Sequence, residues 1–218
     1  MKDKTLKIVA ISDTHGQYRN IKLPKGDVLI HAGDWDSHDR LDRFMDFKHW
    51  LRELDYEHKI VIAGNHELLV EDNYDFCARE LNEVCTYLHS ESTEINGIKF
   101  YGSPYTPNFN NWAFNKCPGL ELAKEWAKIP YDTNVLITHG PPQFILDQIT
   151  DLLDQKGWNL GDADLAARVK KLPELRLHIF GHIHTGHGIL EQDGVKFVNA
   201  SLLDEMYDLE YQATILEV

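Results

Sequence analysis

The sequence predicts an α/β fold in which two packed β-sheets are flanked by helices. Strand-like and helix-like segments alternate through residues 6–82, which is the pattern of a parallel sheet with crossover helices. After residue 87 the pattern changes, since Asn96-Gly97 and Asp193-Gly194 are typical turn dipeptides of β-hairpins. Polar groups follow several predicted strands, and open α/β sheets place their sites at the carboxyl ends of strands.

Each predicted strand is a short run rich in β-branched and aliphatic residues that ends at a turn signal. The strands are predicted over 6–12, 27–32, 58–63, 87–101 with its internal turn, 134–138, 176–180, 188–192, 195–199 and 210–217. Helices are predicted over 39–54, 67–82, 119–129 and 161–171. The first of these helices carries Leu41, Phe44, Phe47 and Leu51 at a spacing typical of one buried helix face.

The segment 103–118 is predicted to be a long loop, because prolines interrupt it repeatedly. It also holds the aromatic residues Tyr105, Phe109, Trp112 and Phe114. Two interpretations of these aromatics remain open at this point. They form either a local hydrophobic plug over the sheet or the rim of a site on which a nucleobase or another flat group stacks.

Length and composition limit the classes of protein that the chain can represent. Its 218 residues indicate one domain, covering residues 1–218, with a sizeable core. The formal net charge of −13 disfavours long nucleic acids as partners, whereas small phosphorylated molecules fit wherever bound cations reverse the local charge. No apolar run reaches the roughly 18 residues of a membrane span. Three cysteines without paired spacing indicate reduced thiols and a cytoplasmic protein.

Five short motifs contain side chains that bind divalent metals, and each motif follows a predicted strand. They are Asp13-Thr14-His15, Gly33-Asp34, Gly64-Asn65-His66-Glu67, Thr138-His139-Gly140 and Gly181-His182-Ile183-His184. Each motif alone is equally typical of a turn at the end of a strand. Their joint occurrence indicates a metal centre with enough groups for two cations that share one carboxylate.

In this order the motifs resemble those of the calcineurin-like metallophosphoesterase superfamily, and they span residues 13–184. The segments 101–107, 112–114 and 198–201 resemble its small metallophosphoesterase-domain-containing branch, which includes cyclic-nucleotide phosphodiesterase relatives. The resemblance implies a four-layer αββα sandwich of two mixed β-sheets flanked by helices.

The resemblance also implies which residues hold two metal ions. One ion would be held by Asp13, His15, Asp34 and His184. The second ion would be held by Asn65, His139 and His182, with Asp34 bridging the two. Mixed oxygen and nitrogen ligands suit divalent or trivalent ions of Mn, Fe, Zn, Ni or Co and do not select one of them.

His66 would lie beside the phosphate without binding metal, as the catalytic side chain. In many relatives an acidic residue three positions after the bridging aspartate orients this histidine. Here that position is Ser37. We therefore expect Asp36, Asp39, Glu67 or a backbone carbonyl to orient His66 instead.

The implied activity is hydrolysis of a small phosphodiester, such as a cyclic nucleotide, by in-line attack of a metal-bridging hydroxide. His66 would protonate the leaving oxygen or stabilise its charge. A phosphomonoesterase remains an alternative, because the two cations by themselves do not distinguish monoesters from diesters. A catalytically silent scaffold is the alternative from another class, although every expected ligand is present. Protein phosphatase and nuclease roles are disfavoured by the lack of a clear basic groove and by the net charge of −13.

The remaining histidines fall into two groups. His31 and His187 are candidates for contacts just outside the metal ligands. Surface or packing positions are expected for His38, His49, His58, His89 and His178. We also expect a homodimer, although no specific residue indicates it.

Overall fold

A computed structural model describes residues 5–36, 39–149 and 157–218 of the protein. Its strands are β1 (Lys7–Ile11), β2 (Val28–His31), β3 (His58–Val61), β4 (Thr86–Tyr87), β5 (Glu91–Ile95), β6 (Ile98–Ser103), β7 (Thr106–Pro107), β8 (Asn115–Lys116), β9 (Val135–Thr138), β10 (Leu177–Phe180), β11 (Gly188–Gln192), β12 (Val195–Asn199) and β13 (Thr214–Glu217). Its α-helices are α1 (Leu41–Glu53), α2 (Leu68–Asp72), α3 (Tyr74–Asn82), α4 (Leu120–Trp126) and α5 (Ala163–Val169).

Two mixed sheets form the centre of the fold. The first has the strand order β13-β1-β2-β3-β4, in which β1 to β4 run parallel and β13 pairs antiparallel with β1. The second has the order β11-β12-β10-β9-β6-β5, in which only the edge strands β11 and β5 are antiparallel to their neighbours. In both sheets the central strands therefore direct their carboxyl ends to one edge.

Three apolar clusters divide the fold into layers. The inner faces of the two sheets pack on each other through buried residues that include Ile8, Ile30, Ile60, Phe100, Ile137 and Ile179. Helices α1 and α3 cover the outer face of the first sheet with residues such as Phe47 and Leu81. Helices α4 and α5 cover the outer face of the second sheet with Trp126 and Leu165. The predicted four-layer αββα sandwich is confirmed.

The structure differs from the sequence-based expectation at three places. The helix predicted over 67–82 is split at Asn73, whose side chain donates to the Leu69 carbonyl at 3.1 Å and so competes with helical hydrogen bonding. The loop 103–118 contains the short parallel pair β7 and β8. The strand predicted over 210–217 is limited to β13, which pairs with β1 in the first sheet.

No helix among the described residues is long and apolar enough to cross a membrane.

The two sheets meet at one edge of the fold. There the chain crosses from the second sheet to the first just after β12, since Leu202 N–H donates to the Ser12 carbonyl at 3.1 Å. This crossing brings the residues that follow β1, β2, β3, β9, β10 and β12 to one place.

The packing between the sheets predicts a large effect of Ile137→Ala on stability. Ile137 is fully buried between the two sheets, and its truncation should lower the free energy of unfolding by about 2–5 kcal/mol. Ile215→Ala on β13 is the matched control, because Ile215 is 50% exposed and its truncation should cost less than about 1 kcal/mol. Urea unfolding of both variants measures the difference, and equal costs would contradict this description of the core.

Candidate metal centre

The predicted site residues converge on the edge where the carboxyl ends of the central strands meet. Asp13 and His15 follow β1, Asp34 follows β2, and Asn65 and His66 come shortly after β3. From the second sheet, His139 follows β9, and His182 and His184 follow β10. All eight residues are therefore brought together although they lie up to 171 positions apart in the sequence (13 to 184).

The acidic and histidine ligand atoms form three overlapping groups, and within each group all the atoms lie within 4.8 Å of one another. The groups are Asp13, His15 and His184; His15, Asp34 and His66; and Asp34, His139 and His182. His15 and Asp34 each belong to two groups, and Asp34 is the carboxylate that links the first-sheet histidines to His139 and His182. Its Oδ2 lies 3.3 Å from His139 Nε2, 3.7 Å from His15 Nε2 and 3.9 Å from His66 Nε2.

His139 places its second ring nitrogen among acceptor atoms at the centre. Nδ1 of His139 lies 2.9 Å from the Ala32 carbonyl oxygen, which can only accept, so Nδ1 carries a proton. Nε2 faces Asn65 Oδ1, 2.9 Å away, and Asp34 Oδ2. Three acceptor atoms that face one point repel each other unless a proton or a metal ion lies between them. This donor set fits a metal ion.

His15 supports the same conclusion by a different observation. Both of its ring nitrogens are buried, and neither has a hydrogen-bond partner among the described residues. Burial lowers the pKa of His15 to about 4, so the ring is neutral at physiological pH and has a free lone pair. An unpaired buried nitrogen costs stability, and coordination to a metal would remove that cost.

The two buried carboxylates favour positive charge beside them. Burial by itself would raise the pKa of Asp13, but contacts with His184 and His139 hold it well below its usual range. Burial also opposes a proton on His184 and on His139, yet Asp13 and Asp34 respectively outweigh it. The result is a pKa of about 9 for each of these imidazoles. A cation bound here would be stabilised by the same carboxylates.

Hydrogen bonds from neighbouring residues hold Asp13 and His184 so that Asp13 Oδ1 and His184 Nε2 point at the centre. Asp13 Oδ2 accepts from the Ser201 hydroxyl at 2.8 Å and from the His182 N–H at 2.9 Å. Asp13 Oδ1 faces His184 Nε2 at 3.5 Å. His184 Nδ1 donates to the Asp204 carbonyl at 2.8 Å, which fixes the ring so that Nε2 points inward.

The backbone at the centre is strained. Asp13, His15, Asp34 and His182 have φ angles of 52°, 39°, 55° and 70°, in the left-handed region that non-glycine residues rarely adopt. Each such residue costs on the order of 1 kcal/mol or more, and strain of this kind concentrates at functional sites. The strain is the consequence of turning several side chains toward one point immediately after their strands.

Close packing explains two glycines of the motifs. A Cβ atom at Gly64 would lie 2.6 Å from Asp34 N and would also collide with the Asp34 carboxylate. A Cβ atom at Gly181 would lie 2.6 Å from Ser12 Cβ and would overlap the Asp13 carboxylate. Both positions let a strand end approach a buried aspartate more closely than any side chain would allow.

Glu67 is a predicted candidate for orienting the His66 ring, but it contacts backbone groups instead. Its buried carboxylate accepts from three backbone N–H groups, those of Gly64 at 2.5 Å, Asp34 at 3.0 Å and Asp36 at 3.2 Å. It thereby joins the turns after β2 and β3 rather than the ring of His66. Burial and the nearby Asp34 raise the pKa of Glu67 well above its usual range. Ser37, the position of the missing acidic residue, lies outside the described residues.

His66 is positioned by an aromatic contact. Its ring lies 4.5 Å from the ring of Trp112, measured between centroids, and 4.8 Å from the ring of His15. The loop that carries Trp112 is attached to the site, since Ala113 N–H donates to the Asn65 carbonyl at 3.0 Å. The loop therefore has a plug-like part around the buried Phe114 and a rim-like part at Trp112, which places an aromatic face next to the predicted catalytic histidine.

The other histidines lie outside the centre. The Thr14 hydroxyl contacts His31 Nε2 at 3.0 Å, and His187 Nδ1 donates to the Ser201 carbonyl at 2.7 Å. Each thus touches a neighbour of a ligand rather than a ligand itself. His49 is exposed, His58 and His89 are partly buried, and His178 is buried against Thr138 Oγ1 at 2.8 Å. His38 lies outside the described residues.

Sequence reasoning assigned no role to three residues that the structure places at the centre. Ser201 donates to Asp13, and Asp204 accepts from His184. The ring of Tyr207 lies 4.8 Å from that of His15 and 5.2 Å from that of His184. The segment 198–201 carries part of the family resemblance, which is a signal in the sequence for Ser201. No local pattern distinguishes Asp204 or Tyr207 from an ordinary polar loop.

The contact between Ser201 and Asp13 predicts that Ser201→Ala weakens metal binding. Loss of the hydroxyl leaves Asp13 Oδ2 with the His182 N–H as its donor, and losing such a supporting contact typically costs about 10- to 100-fold in metal affinity. Competition against a chromogenic chelator measures the affinity. Ser92→Ala on β5 is the control, since Ser92 is exposed and remote from the centre. Equal affinities of the two variants would show that Ser201 does not position Asp13.

Comparison with known proteins connects this geometry to a family. A family model described as calcineurin-like phosphoesterase matches residues 6–186. The human protein named metallophosphoesterase domain-containing protein 1 is 37% identical in an alignment of 223 residues including gaps; the alignment covers 92% of this chain and 67% of the human protein. The UPF0046 protein K07C11.7 of Caenorhabditis elegans is 37% identical over 214 residues, covering 90% of this chain and 69% of its own length.

A solved crystal structure shares the fold. It aligns with a TM-score of 0.63 over 99% of both chains at 15% sequence identity. At that identity the alignment supports the architecture alone. The family model ends at residue 186, so the single domain over residues 1–218 stays a prediction.

Proposed function

The chain belongs to the calcineurin-like phosphoesterase family, and from this premise we propose that it is a dinuclear metal-dependent phosphodiesterase acting on small substrates. The substrate class that we propose is a phosphodiester with at least one flat substituent, such as a cyclic nucleotide. The proposed ligands are Asp13, His15, Asp34 and His184 for one ion, and Asp34, Asn65, His139 and His182 for the other.

One observation carries the proposal above all others. Asp34 Oδ2 lies within 3.9 Å of imidazole nitrogens that come from three different motifs, and the oxygen of Asn65 completes the set. A carboxylate in that position can bridge two cations, which are about 3.5–4 Å apart in enzymes of this type. Two cations held there would neutralise the charge of a phosphate ester and make water a better nucleophile near neutral pH.

Three further roles in the proposed reaction fall to side chains and carbonyl groups of the protein: retaining the cations, orienting the ligands and donating a proton. Asp13 and Asp34 hold the negative charge that retains the cations, and both are almost completely buried. Ser201, Asp204 and the Ala32 carbonyl orient the ligands through hydrogen bonds. His66 is the one ring beside Asp34 that we do not assign to a metal, and it donates a proton to the leaving oxygen of the ester.

The Trp112 ring supports the proposed substrate class. It lies beside His66 and therefore beside the leaving group that His66 protonates. Stacking of a base on an aromatic side chain typically contributes about 1–3 kcal/mol to binding. The net charge of −13 disfavours long nucleic acids, which leaves small esters as the proposed partners. We further propose a cytoplasmic protein with reduced cysteines, and a homodimer as its assembly.

A single assay panel tests this function. Metal-stripped protein is reloaded with Mn, Zn, Ni, Fe or Mg. It is then assayed with a chromogenic phosphodiester, a chromogenic phosphomonoester, and 2′,3′- and 3′,5′-cyclic nucleotides. Metal-dependent turnover that favours the diesters is the expected result. Turnover of monoesters alone would replace the proposal by a phosphatase, and no turnover with any metal would replace it by a scaffold protein.

A further inference from the structure

The loop after β12 forms a closed turn at the edge of the candidate metal centre. The Asp204 N–H donates to the Asp208 carbonyl at 3.0 Å. The Asp204 carboxylate Oδ1 accepts from the N–H groups of Met206 at 2.8 Å and Asp208 at 2.9 Å. These bonds give residues 204–208 a defined shape, with Tyr207 at a fixed position in the turn.

The turn is attached to the centre on two sides. The Asp204 carbonyl accepts from His184 Nδ1 at 2.8 Å. On the other side, Gln17 Nε2, which lies just after the Asp13-Thr14-His15 motif, donates to the Tyr207 carbonyl at 2.7 Å. The position of Tyr207 is therefore linked directly to residues that belong to the proposed site.

The Tyr207 side chain lies against the centre and yet remains accessible. Its ring packs edge-on to His15 at 4.8 Å and to His184 at 5.2 Å, and the residue is 45% exposed. Its backbone has φ +64°, which is costly for a bulky residue. A tyrosine held at this cost beside two proposed ligands, with nearly half of its surface exposed, is accessible to a bound molecule.

Tyr207 lies at one end of a series of ring contacts that runs along the site. The row runs from Trp112 to His66 at 4.5 Å, on to His15 at 4.8 Å and then to Tyr207 at 4.8 Å. We call it the aromatic row. At its two ends, Trp112 contacts His66 and Tyr207 contacts His15; Trp112 is partly exposed and Tyr207 is exposed. An ester bound at the centre would thus have Trp112 beside His66 and Tyr207 beside His15.

We propose that Tyr207 binds the substituent of a phosphodiester that stays on phosphorus, and so makes the site prefer diesters with a large flat substituent. This inference rests on the proposed function. The leaving group lies at the Trp112 end of the aromatic row, because His66 is there to protonate it. The other substituent then extends toward the Tyr207 end. A phosphomonoester has no such substituent and gains nothing from Tyr207.

Three substrates with one leaving group test the proposal, because the chemistry at His66 stays the same. They are bis(p-nitrophenyl) phosphate, methyl p-nitrophenyl phosphate and p-nitrophenyl phosphate. Tyr207→Ala should lower kcat/KM for the first by about 3- to 10-fold relative to the other two, mainly through KM. Tyr207→Phe, which keeps the ring, should retain the preference. Met206→Ala is the matched control, since Met206 belongs to the same turn and is 78% exposed.

Metal content is measured for each variant, because Tyr207 also touches two proposed ligands. A loss that is equal for all three esters would overturn the proposal, whether or not metal is lost, since Tyr207 would then only support His15 and His184. An unchanged preference in Tyr207→Ala would overturn it as well. Failure of the proposed function gives a different result, namely that the wild-type protein itself hydrolyses none of the esters with any metal.

Discussion

Asp34→Asn is expected to reduce kcat/KM for every phosphoester by about 10³-fold or more. Metal ions stabilise the charge of a phosphoryl transition state by several kcal/mol, and each 1.36 kcal/mol corresponds to a tenfold change in rate. Among the described residues, Asp34 is the carboxylate whose oxygen lies near His15, His66 and His139. Replacing it by a neutral amide removes a charge that both proposed ions share.

The structure explains why an amide cannot substitute for this carboxylate. Asp34 Oδ1 accepts from the His66 N–H at 2.9 Å, while Oδ2 faces the imidazole nitrogens. An asparagine can present one oxygen only, so either the turn at His66 or the centre would face an NH₂ group. Burial raises the pKa of Asp34, yet His139 and the other rings hold it well below its usual range, so the native group is charged.

Metal analysis and steady-state kinetics check this prediction together. The Asp34→Asn variant should retain less metal than the wild type after dialysis and should show the same loss for all esters. Asp193→Asn provides the control, since Asp193 is exposed in the turn between β11 and β12. A variant at Asp34 that keeps its full metal content and activity would exclude Asp34 as a bridging ligand.

His66→Ala is expected to lower kcat by about 10²- to 10⁴-fold, the usual contribution of a general acid. Its metal content should stay at the wild-type level, because we assign His66 to the leaving group and not to a metal. The loss should also depend on the leaving group. A poor leaving group, such as an alkoxide, needs the proton more than p-nitrophenolate does, so alkyl esters should lose more activity than aryl esters.

The metal content of this variant tests the assignment of His66, because His66 and the proposed ligand His15 lie almost equally close to Asp34. Asp34 Oδ2 is 3.9 Å from His66 Nε2 and 3.7 Å from His15 Nε2. His66 is thus close enough to Asp34 for a metal role to be measurable. Loss of one metal equivalent in His66→Ala would move His66 into the ligand set. The control is His49→Ala on the exposed side of α1, which should behave like the wild type.

The local pattern of the chain was sufficient for the architecture. Strand-like runs and the hairpin dipeptides predicted most elements to within a few residues, because alternating burial and turn chemistry are properties of neighbouring residues. Asn73 shows the limit of this reasoning, since one side-chain hydrogen bond to Leu69 interrupts a pattern that otherwise looks continuous. The partner of β13 is a similar case, because strand pairing between distant segments depends on the packing of the whole sheet.

The same distinction applies to the site. Asp13, His15, Asp34 and the later histidines could be selected from sequence because strand ends of an α/β sheet meet at one edge, and because their side chains share one chemistry. Ser201, Asp204 and Tyr207 could not be selected in this way. Their roles come from a few contacts with Asp13, His184 and His15, which lie at least 20 residues away along the chain (184 to 204). Such contacts exist only once both sheets have packed, so they depend on the folded chain as a whole and leave no periodic trace in the sequence.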